Sequence, residues 1–301
     1  MIPRSMASIL TETRRLLLTH GLRPKKRLGQ SFLVDRTTLR KILEGGKLQR
    51  EDRVLEIGAG VGTLTHALAE RCHRVIAVEI DAGLFRILEE VLGGRPQVTL
   101  VHGDALDLDF GSLLGDEGPW KVIANLPYSV ATPLVTRLLT ASHHFSLLLL
   151  MMQEEVAERL MASPGTKAYG SLTVLTQYYA DVRVVARVSP SAFYPKPQVD
   201  SVLLKLEPLP TPRVAPGDAT LFFRLVRAAF AHRRKTLTNA LMQSEWVPLD
   251  RQEIQTVLAR ADIDSSRRGE TLTLQEFQVL ADELLSHIGN SSQRLAVSRQ
   301  Q

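Results

Sequence analysis

Three glycines spaced two apart, Gly58, Gly60 and Gly62, end the run Val54-Leu55-Glu56-Ile57 and open a helical pattern at Thr63. Glycine there lets the backbone turn tightly and approach a ligand, and a helix start presents unpaired N–H groups. Two carboxylates follow, Glu79 at the end of "VIAVE" and Asp104 after "TLVHG". An acid in the first of these places suits a ribose diol, accepting two hydroxyl donors at on the order of 1.5–3 kcal/mol per charge-assisted bond. Asp104 can accept from an exocyclic amine. The plain alternative for either acid is helix N-capping, and Asp81 reads as a residue of that kind. The last group is Asn125-Leu126-Pro127-Tyr128, directly after the apolar Val122-Ile123-Ala124. Asn and Pro after a strand ordinarily mark a turn. The same four residues also offer a side-chain carbonyl, a backbone carbonyl held by the fixed φ of Pro127, and an aromatic face for an unpaired base.

The glycine spacing separates ligand classes. A dinucleotide fingerprint needs its third glycine at position 63, where Thr63 stands, so the pyrophosphate cradle is not met. A nucleoside without pyrophosphate fits better, and S-adenosylmethionine has that shape. An adenine N6 is a weak nucleophile because its lone pair is delocalised into the ring. Two acceptors taking its amino protons, the Asn125 side chain and the next backbone carbonyl, favour the lone pair that attacks a sulfonium methyl. In-line transfer then needs alignment, with no covalent intermediate and no metal. The lone Cys72 and the scattered His66, His73, His102, His143 and His144 show no metal-ligand spacing and read as ordinary surface or helix-end residues.

These residues need a scaffold that delivers them to one edge. Apolar β-branched runs alternate with helical patterns from "RVLEIG" to "FSLLLLMM", the signature of βαβ units and a doubly wound parallel sheet. "VRVVARV" and "VDSVLLKL", joined by a Pro-rich stretch, read as two strands paired antiparallel at one edge. Four prolines within "PLPTPRVAPGD" place a boundary after Glu207. The reading is an α/β catalytic domain over 1–207, an all-helical domain over 208–289, and a disordered tail over 290–301. In the second domain, Asp250 with Glu253 and Thr273 with Glu276 are capping-box pairs. The longest apolar run, Leu147 to Met152, is far short of the roughly 18 residues a membrane span needs. The first twenty residues lack an apolar core followed by a small-residue cleavage site, which argues against a secretory signal and leaves a transit peptide as the weaker alternative; one cysteine suits a reducing compartment, so the cytoplasm is expected.

The chain has 301 residues and a formal net charge of +5, which suggests an anionic partner. Arg23, Lys25, Lys26 and Arg27 form one basic cluster and Arg233, Arg234 and Lys235 another. Each is either a phosphate-binding surface or a solvated basic face.

Taken together, "KKRLGQSFLVD", "VLEIGAGVGTLT", "VIAVEID", "GDALDLD", "NLPYSVATPL", "KAYGSLTVLTQYYADV", "SPSAFYPKPQVDSVLLKL" and "AFAHRRKTLTNAL" resemble the bacterial KsgA (RsmA) family of ribosomal RNA adenine dimethyltransferases, from about Lys25 to Ile288. The resemblance implies a class I, Rossmann-like S-adenosylmethionine-dependent methyltransferase fold with a smaller helical rRNA-binding domain. It implies transfer of four methyls to two adjacent adenines near the 3′ end of 16S rRNA in the small (30S) subunit; a monomer is the expected state. It carries a donor site onto Gln30, Leu33, Gly58, Gly60, Glu79, Asp104 and Asn125, and a target-base site onto Asn125, Leu126, Pro127 and Tyr128, with Phe193 closing over the base. Phe193 has a plain core alternative, and Tyr169, Tyr178 and Tyr179 read as packing residues. Ser31 stands where the family usually has Asn or His, although its hydroxyl can still hydrogen-bond at the donor site. The nearest rival is the erythromycin-resistance group, which acts on large-subunit rRNA; "KAYGSLTVLTQYY" and a long "HRRKTLTNAL" helix favour the first family. An idle RNA-binding or assembly factor and an NAD-dependent oxidoreductase are the competing classes.

Overall fold

The computed structural model describes residues 8–115 and 118–298. The chain forms two compact units, one ending at Ala157 and resuming over Ala180–Pro210, the other made of Glu158–Tyr179 and the chain from Thr211 onward.

The first unit is built on a seven-stranded sheet. In chain order the strands are β1 (Phe32–Leu33), β2 (Arg53–Ile57), β3 (Arg74–Glu79), β4 (Val98–His102), β5 (Trp120–Asn125), β6 (Phe145–Gln153), β7 (Ala180–Val188), β8 (Phe193–Tyr194) and β9 (Ser201–Pro208). The large sheet runs β4-β3-β2-β5-β6-β9-β7, while β1 and β8 pair separately as a two-stranded ribbon. The pairs β2–β3, β3–β4, β2–β5 and β5–β6 are parallel. β9 lies antiparallel between β6 and β7, so the two late strands pair as the sequence indicates.

The inner parallel strands are apolar at most positions, as strands covered by helices on both faces are. Val54, Leu55, Val75, Val122, Ile123 and Leu148 to Leu150 are fully buried. The chain walks outward from β2 to β3 and β4, then returns to lay β5 on the other side of β2. This reversal opens a crevice at the carboxyl ends of β2 and β5, where such sheets bind ligands. The chain start also contributes: Ser8 caps the helix Ile9–Thr19 by accepting from the Thr11 N–H, and Leu16 and Leu17 pack with Phe32, Val61, Leu84 and Ile87.

The second unit is helical and closes its own core around Phe222, Leu225, Leu258, Leu272, Phe277 and Leu280. The expected boundary after Glu207 falls inside β9, and the division lies at Pro210/Thr211. The segment 158–179, assigned from sequence to the catalytic domain, belongs to this second unit because Tyr169, Val174 and Tyr178 are buried in its core. Tyr169 and Tyr178 thus pack as expected, with Tyr179 partly buried against them. The helix Leu274–Ser298 carries helical backbone through most of the stretch read as a disordered tail; 299–301 lie outside the described residues. Among the described residues no helix is long and apolar enough to cross a membrane.

Candidate active site

The turn after β2 and the turn after β5 meet at the crevice. Gly58 has φ +77°, and a Cβ on it would sit 3.3 Å from the Pro127 ring, so glycine is required both for the turn and for the close approach. Around this meeting point runs a cleft lined by Gln30, Ser31 and Leu33 from one side, Gly58 and Gly60 from another, and Glu79, Asp104 and Asn125 to Tyr128 from the strand ends. All these residues, singled out in the sequence, are brought together.

Glu79 is buried, with Oε2 accepting from the Gly60 N–H at 2.8 Å and Oε1 from the Asp81 N–H at 3.0 Å. The carboxylate therefore fixes the glycine loop, and each oxygen keeps a lone pair for a further donor. Burial raises its pKa, opposed by the Asp81 and Gly60 hydrogen bonds. Asp104 is half-buried and uses Oδ1 to hold the Leu106 N–H at 2.9 Å. Neither acid caps a helix. Asp81 does, accepting from the Gly83 and Leu84 N–H groups.

Asn125 is the most informative side chain. Its Nδ2 donates to the Ser31 carbonyl at 3.0 Å, which fixes the amide orientation. Its Oδ1 is buried and accepts nothing among the described residues. An unsatisfied buried acceptor costs about 1–3 kcal/mol, so it marks a place kept for a donor. Next to it the Leu126 N–H bonds the Met151 carbonyl at 3.0 Å, and Tyr128 places its hydroxyl 2.7 Å from Ser201 Oγ, which anchors the ring from its far end.

Several expectations are corrected. Phe193 does not line the cleft; it is 2% exposed, registers opposite Leu33 in the β1–β8 ribbon and packs in the core with Leu39 and Ile42, so its core alternative holds. Ser31 lines the cleft but its hydroxyl donates to the Pro195 carbonyl at 2.7 Å, tying β1 to the loop after β8. Lys25, read as an RNA contact, places Nζ 2.6 Å from Asp81 Oδ2, where Gln30 Nε2 also donates at 3.2 Å. It therefore straps Gln30 and its neighbours over the site. Arg233 pairs with Glu270 at 3.0 Å and also donates to the Lys167 carbonyl, so much of its hydrogen-bonding capacity is used within the second unit. The long helix through "HRRKTLTNAL" is broken: Ala219–Ala231 ends at His232, whose ψ of +79° leaves the helical range, and Thr236 caps a new helix, Leu237–Met242. Arg23, Arg27, Arg234 and Lys235 are exposed, and the Lys26 side chain lies outside the described residues.

One cleft residue escaped the sequence reading. Glu56, in the middle of β2, is 2% exposed, lines the cleft, and has Oε2 without a partner among the described residues. Burial pushes its carboxyl up to about 8, with the neighbouring Thr65 hydroxyl opposing and the Glu79 charge adding. A lone acid between Leu55 and Ile57 in a strand buried on both faces is the signal that could have found it.

Residues 21–281 match the family model described as Ribosomal RNA adenine dimethylase. The chain is 45% identical to Ribosomal RNA small subunit methyltransferase A of Clostridium acetobutylicum over 272 residues, covering 90% of this chain and 98% of the relative. It is 44% identical to the protein of the same name from Clostridium perfringens over 279 residues, 93% of this chain and 97% of the relative. Among solved structures, a dimethyladenosine transferase from Plasmodium falciparum superposes with TM-score 0.71 at 27% identity, covering 85% of this chain and 98% of that one. The 23S rRNA methyltransferase ErmE superposes with TM-score 0.61 at 26% identity, covering 84% and 99%.

Proposed function

The chain belongs to the ribosomal RNA adenine dimethylase family, and from that premise we propose that it dimethylates the N6 amines of two adjacent adenosines near the 3′ end of 16S rRNA in the small ribosomal subunit. It does so with S-adenosylmethionine as donor, as a monomer in the cytoplasm. The family membership removes the NAD-dependent alternative, and the carboxylate pair supports a nucleoside donor: Glu79 accepts from the ribose hydroxyls and Asp104 from the adenine amine.

The observation that carries the reading is the divided role of the Asn125 amide, with Nδ2 anchored on Ser31 and Oδ1 buried and unpaired among the described residues. A target adenine whose N6–H bonds to Oδ1, with its second amino hydrogen on the Leu126 carbonyl, turns its lone pair towards the donor methyl. The new C–N bond forms as the C–S bond breaks, sulfur keeps the electron pair, and the surplus N6 proton leaves to solvent. Tyr128, held by Ser201, offers the face on which the extruded base stacks. Most of the rate enhancement comes from alignment of donor and acceptor.

Incubating the protein and labelled donor with small- and large-subunit particles from cells lacking this activity tests the proposal. Label on small-subunit rRNA alone is expected. Label on large-subunit rRNA alone would favour the specificity named for ErmE, and none on either, with the RNA still bound, would make the chain an idle binding factor.

A further inference from the structure

Gln30 lines the cleft, yet both ends of its amide are used within the chain. Its Oε1 accepts from the Lys25 N–H at 2.7 Å, and its Nε2 donates to Asp81 Oδ2 at 3.2 Å. Lys25 Nζ reaches the same Oδ2 at 2.6 Å. The Asp81 carboxylate thus has divided duties. Oδ1 caps the helix Ala82–Leu92 through the Gly83 and Leu84 N–H groups, while Oδ2 receives Lys25 and Gln30. Burial works to raise the Asp81 pKa, but Lys25, the two capping N–H groups and Gln30 hold it below its ordinary value, so Oδ2 is a charged acceptor at neutral pH. Capping accounts for the first oxygen and leaves the second to be explained.

The stretch closed by this latch runs straight into the reaction centre. After Lys25 the chain makes one tight helical turn, Lys26–Leu28, and then passes through Gly29 at φ +62°. A Cβ on Gly29 would lie 2.9 Å from the Tyr128 nitrogen and 3.0 Å from the Ser129 nitrogen, so the stretch rests directly on the backbone of the turn after β5. Two residues further on, the Ser31 carbonyl accepts from Asn125 Nδ2 at 3.0 Å. Resting on the role given to Asn125 above, we infer that Lys25, Gln30 and Asp81 are positioning residues for methyl transfer: their latch holds the Ser31 carbonyl in place, and that carbonyl sets the Asn125 amide. None of the three needs to touch the adenine.

The turn that carries Asp81 also carries Glu79, whose Oε1 accepts from the Asp81 N–H at 3.0 Å. One short turn after β3 therefore fixes both a cleft carboxylate and the latch that sets the amide across the cleft from it. Misalignment of about 1 Å can cost on the order of 100-fold in rate. The Ser31 hydroxyl stays tied to the Pro195 carbonyl, so loss of the latch leaves the stretch loose rather than free and should cost less than that.

Single-turnover methyl transfer, at saturating donor and saturating small-subunit particles and below the melting temperature of every variant, reads the latch. Lys25→Met keeps the aliphatic stem, removes the ammonium and leaves the helix cap intact. Asp81→Asn can keep an oxygen on the capping N–H groups but turns an NH2 towards Lys25 and Gln30. Each should slow the rate roughly 10-fold. In an Asn125→Ala background, Lys25→Met should cost almost nothing further, because no amide is left to position. Losses that multiply, or a wild-type rate for either single variant, would overturn the latch while leaving Asn125 its role. Near-wild-type turnover by Asn125→Ala alone would remove that role and the latch with it. Binding to small-subunit particles separates the latch from a phosphate contact. Lys25→Met should keep the wild-type salt slope, and a slope flatter by roughly 0.7 would make Lys25 an RNA ligand instead of a positioning residue.

Discussion

An amide has a donor end and an acceptor end, and at Asn125 the fold has used only the first. Anchoring Nδ2 on a backbone carbonyl removes rotational freedom from the side chain, so Oδ1 is held in one orientation, the one the proposed reaction uses. Asn125→Ala should therefore cut the methyl-transfer rate by on the order of 100-fold or more while leaving donor affinity within roughly 10-fold, since the lost interaction belongs mainly to the transition state. Single-turnover rates measured beside calorimetric affinities check this, and near-wild-type turnover would remove Asn125 from the chemistry. Legibility at this scale followed position on strands. Glu79, Asp104 and Asn125 could be read because each ends an apolar run in a βα pattern, which sends it to the carboxyl edge. Gln30, Leu33 and Ser31 lie before the first long strand, and only a family resemblance pointed to them. Glu56 was missed because the residues around it look like plain strand, and its meaning depends on which side chains fail to reach it.

Elements were legible where a local rule decides and obscure where tertiary packing does. The capping boxes are the clear successes. Asp250 and Glu253 exchange both bonds, and Thr273 Oγ1 accepts from the Glu276 N–H while Glu276 Oε2 accepts from the Thr273 N–H at 2.7 Å. Glu276 also receives Arg267, and that guanidinium, as the largest cause, holds its carboxyl down to about 2. Its contribution to stability is thus present above its ordinary 4.5 and is lost as pH falls from there towards 2. Glu276→Ala should destabilise the helical unit by about 1 kcal/mol, allowing for partial exposure. Thermal melts should show the gap between variant and wild type narrowing from pH 7 to pH 3; a gap that persists would assign the loss to packing instead. By contrast, the break at His232 has no Gly or Pro to announce it. The helix Ser171–Tyr179 follows the catalytic strands in sequence but buries its apolar face in the other unit's core, a choice chain order cannot reveal.

For the whole molecule, the net charge of +5 counts residues without saying which are free. Of the basic positions that the sequence offers to RNA, Lys25 is engaged with Asp81 and Arg233 with Glu270, each inside its own unit. Replacing Arg234 and Lys235 with Ala should weaken binding to small-subunit particles and flatten the plot of log affinity against log salt by roughly 0.7 for each phosphate no longer neutralised. Arg233→Ala should instead lower the melting temperature of the helical unit, with less change in salt slope. Salt slopes unchanged from the wild type in both variants would put the phosphate-binding groups elsewhere. The α/β sheet and a separate helical unit were readable from the alternation of runs and the change of period, while the division of the chain between them was not. The claim that joins every scale is that this sheet edge delivers methyl groups to adenine N6 in small-subunit rRNA. Nucleoside mass spectrometry of that rRNA, from cells lacking this protein and from the same cells supplied with the wild type or with Asn125→Ala, tests it most directly. The account predicts two adjacent N6,N6-dimethyladenosines near the 3′ end, absent without the protein, restored by the wild type and not by the variant. Dimethylation that persists without the protein, or that Asn125→Ala restores in full, would contradict it.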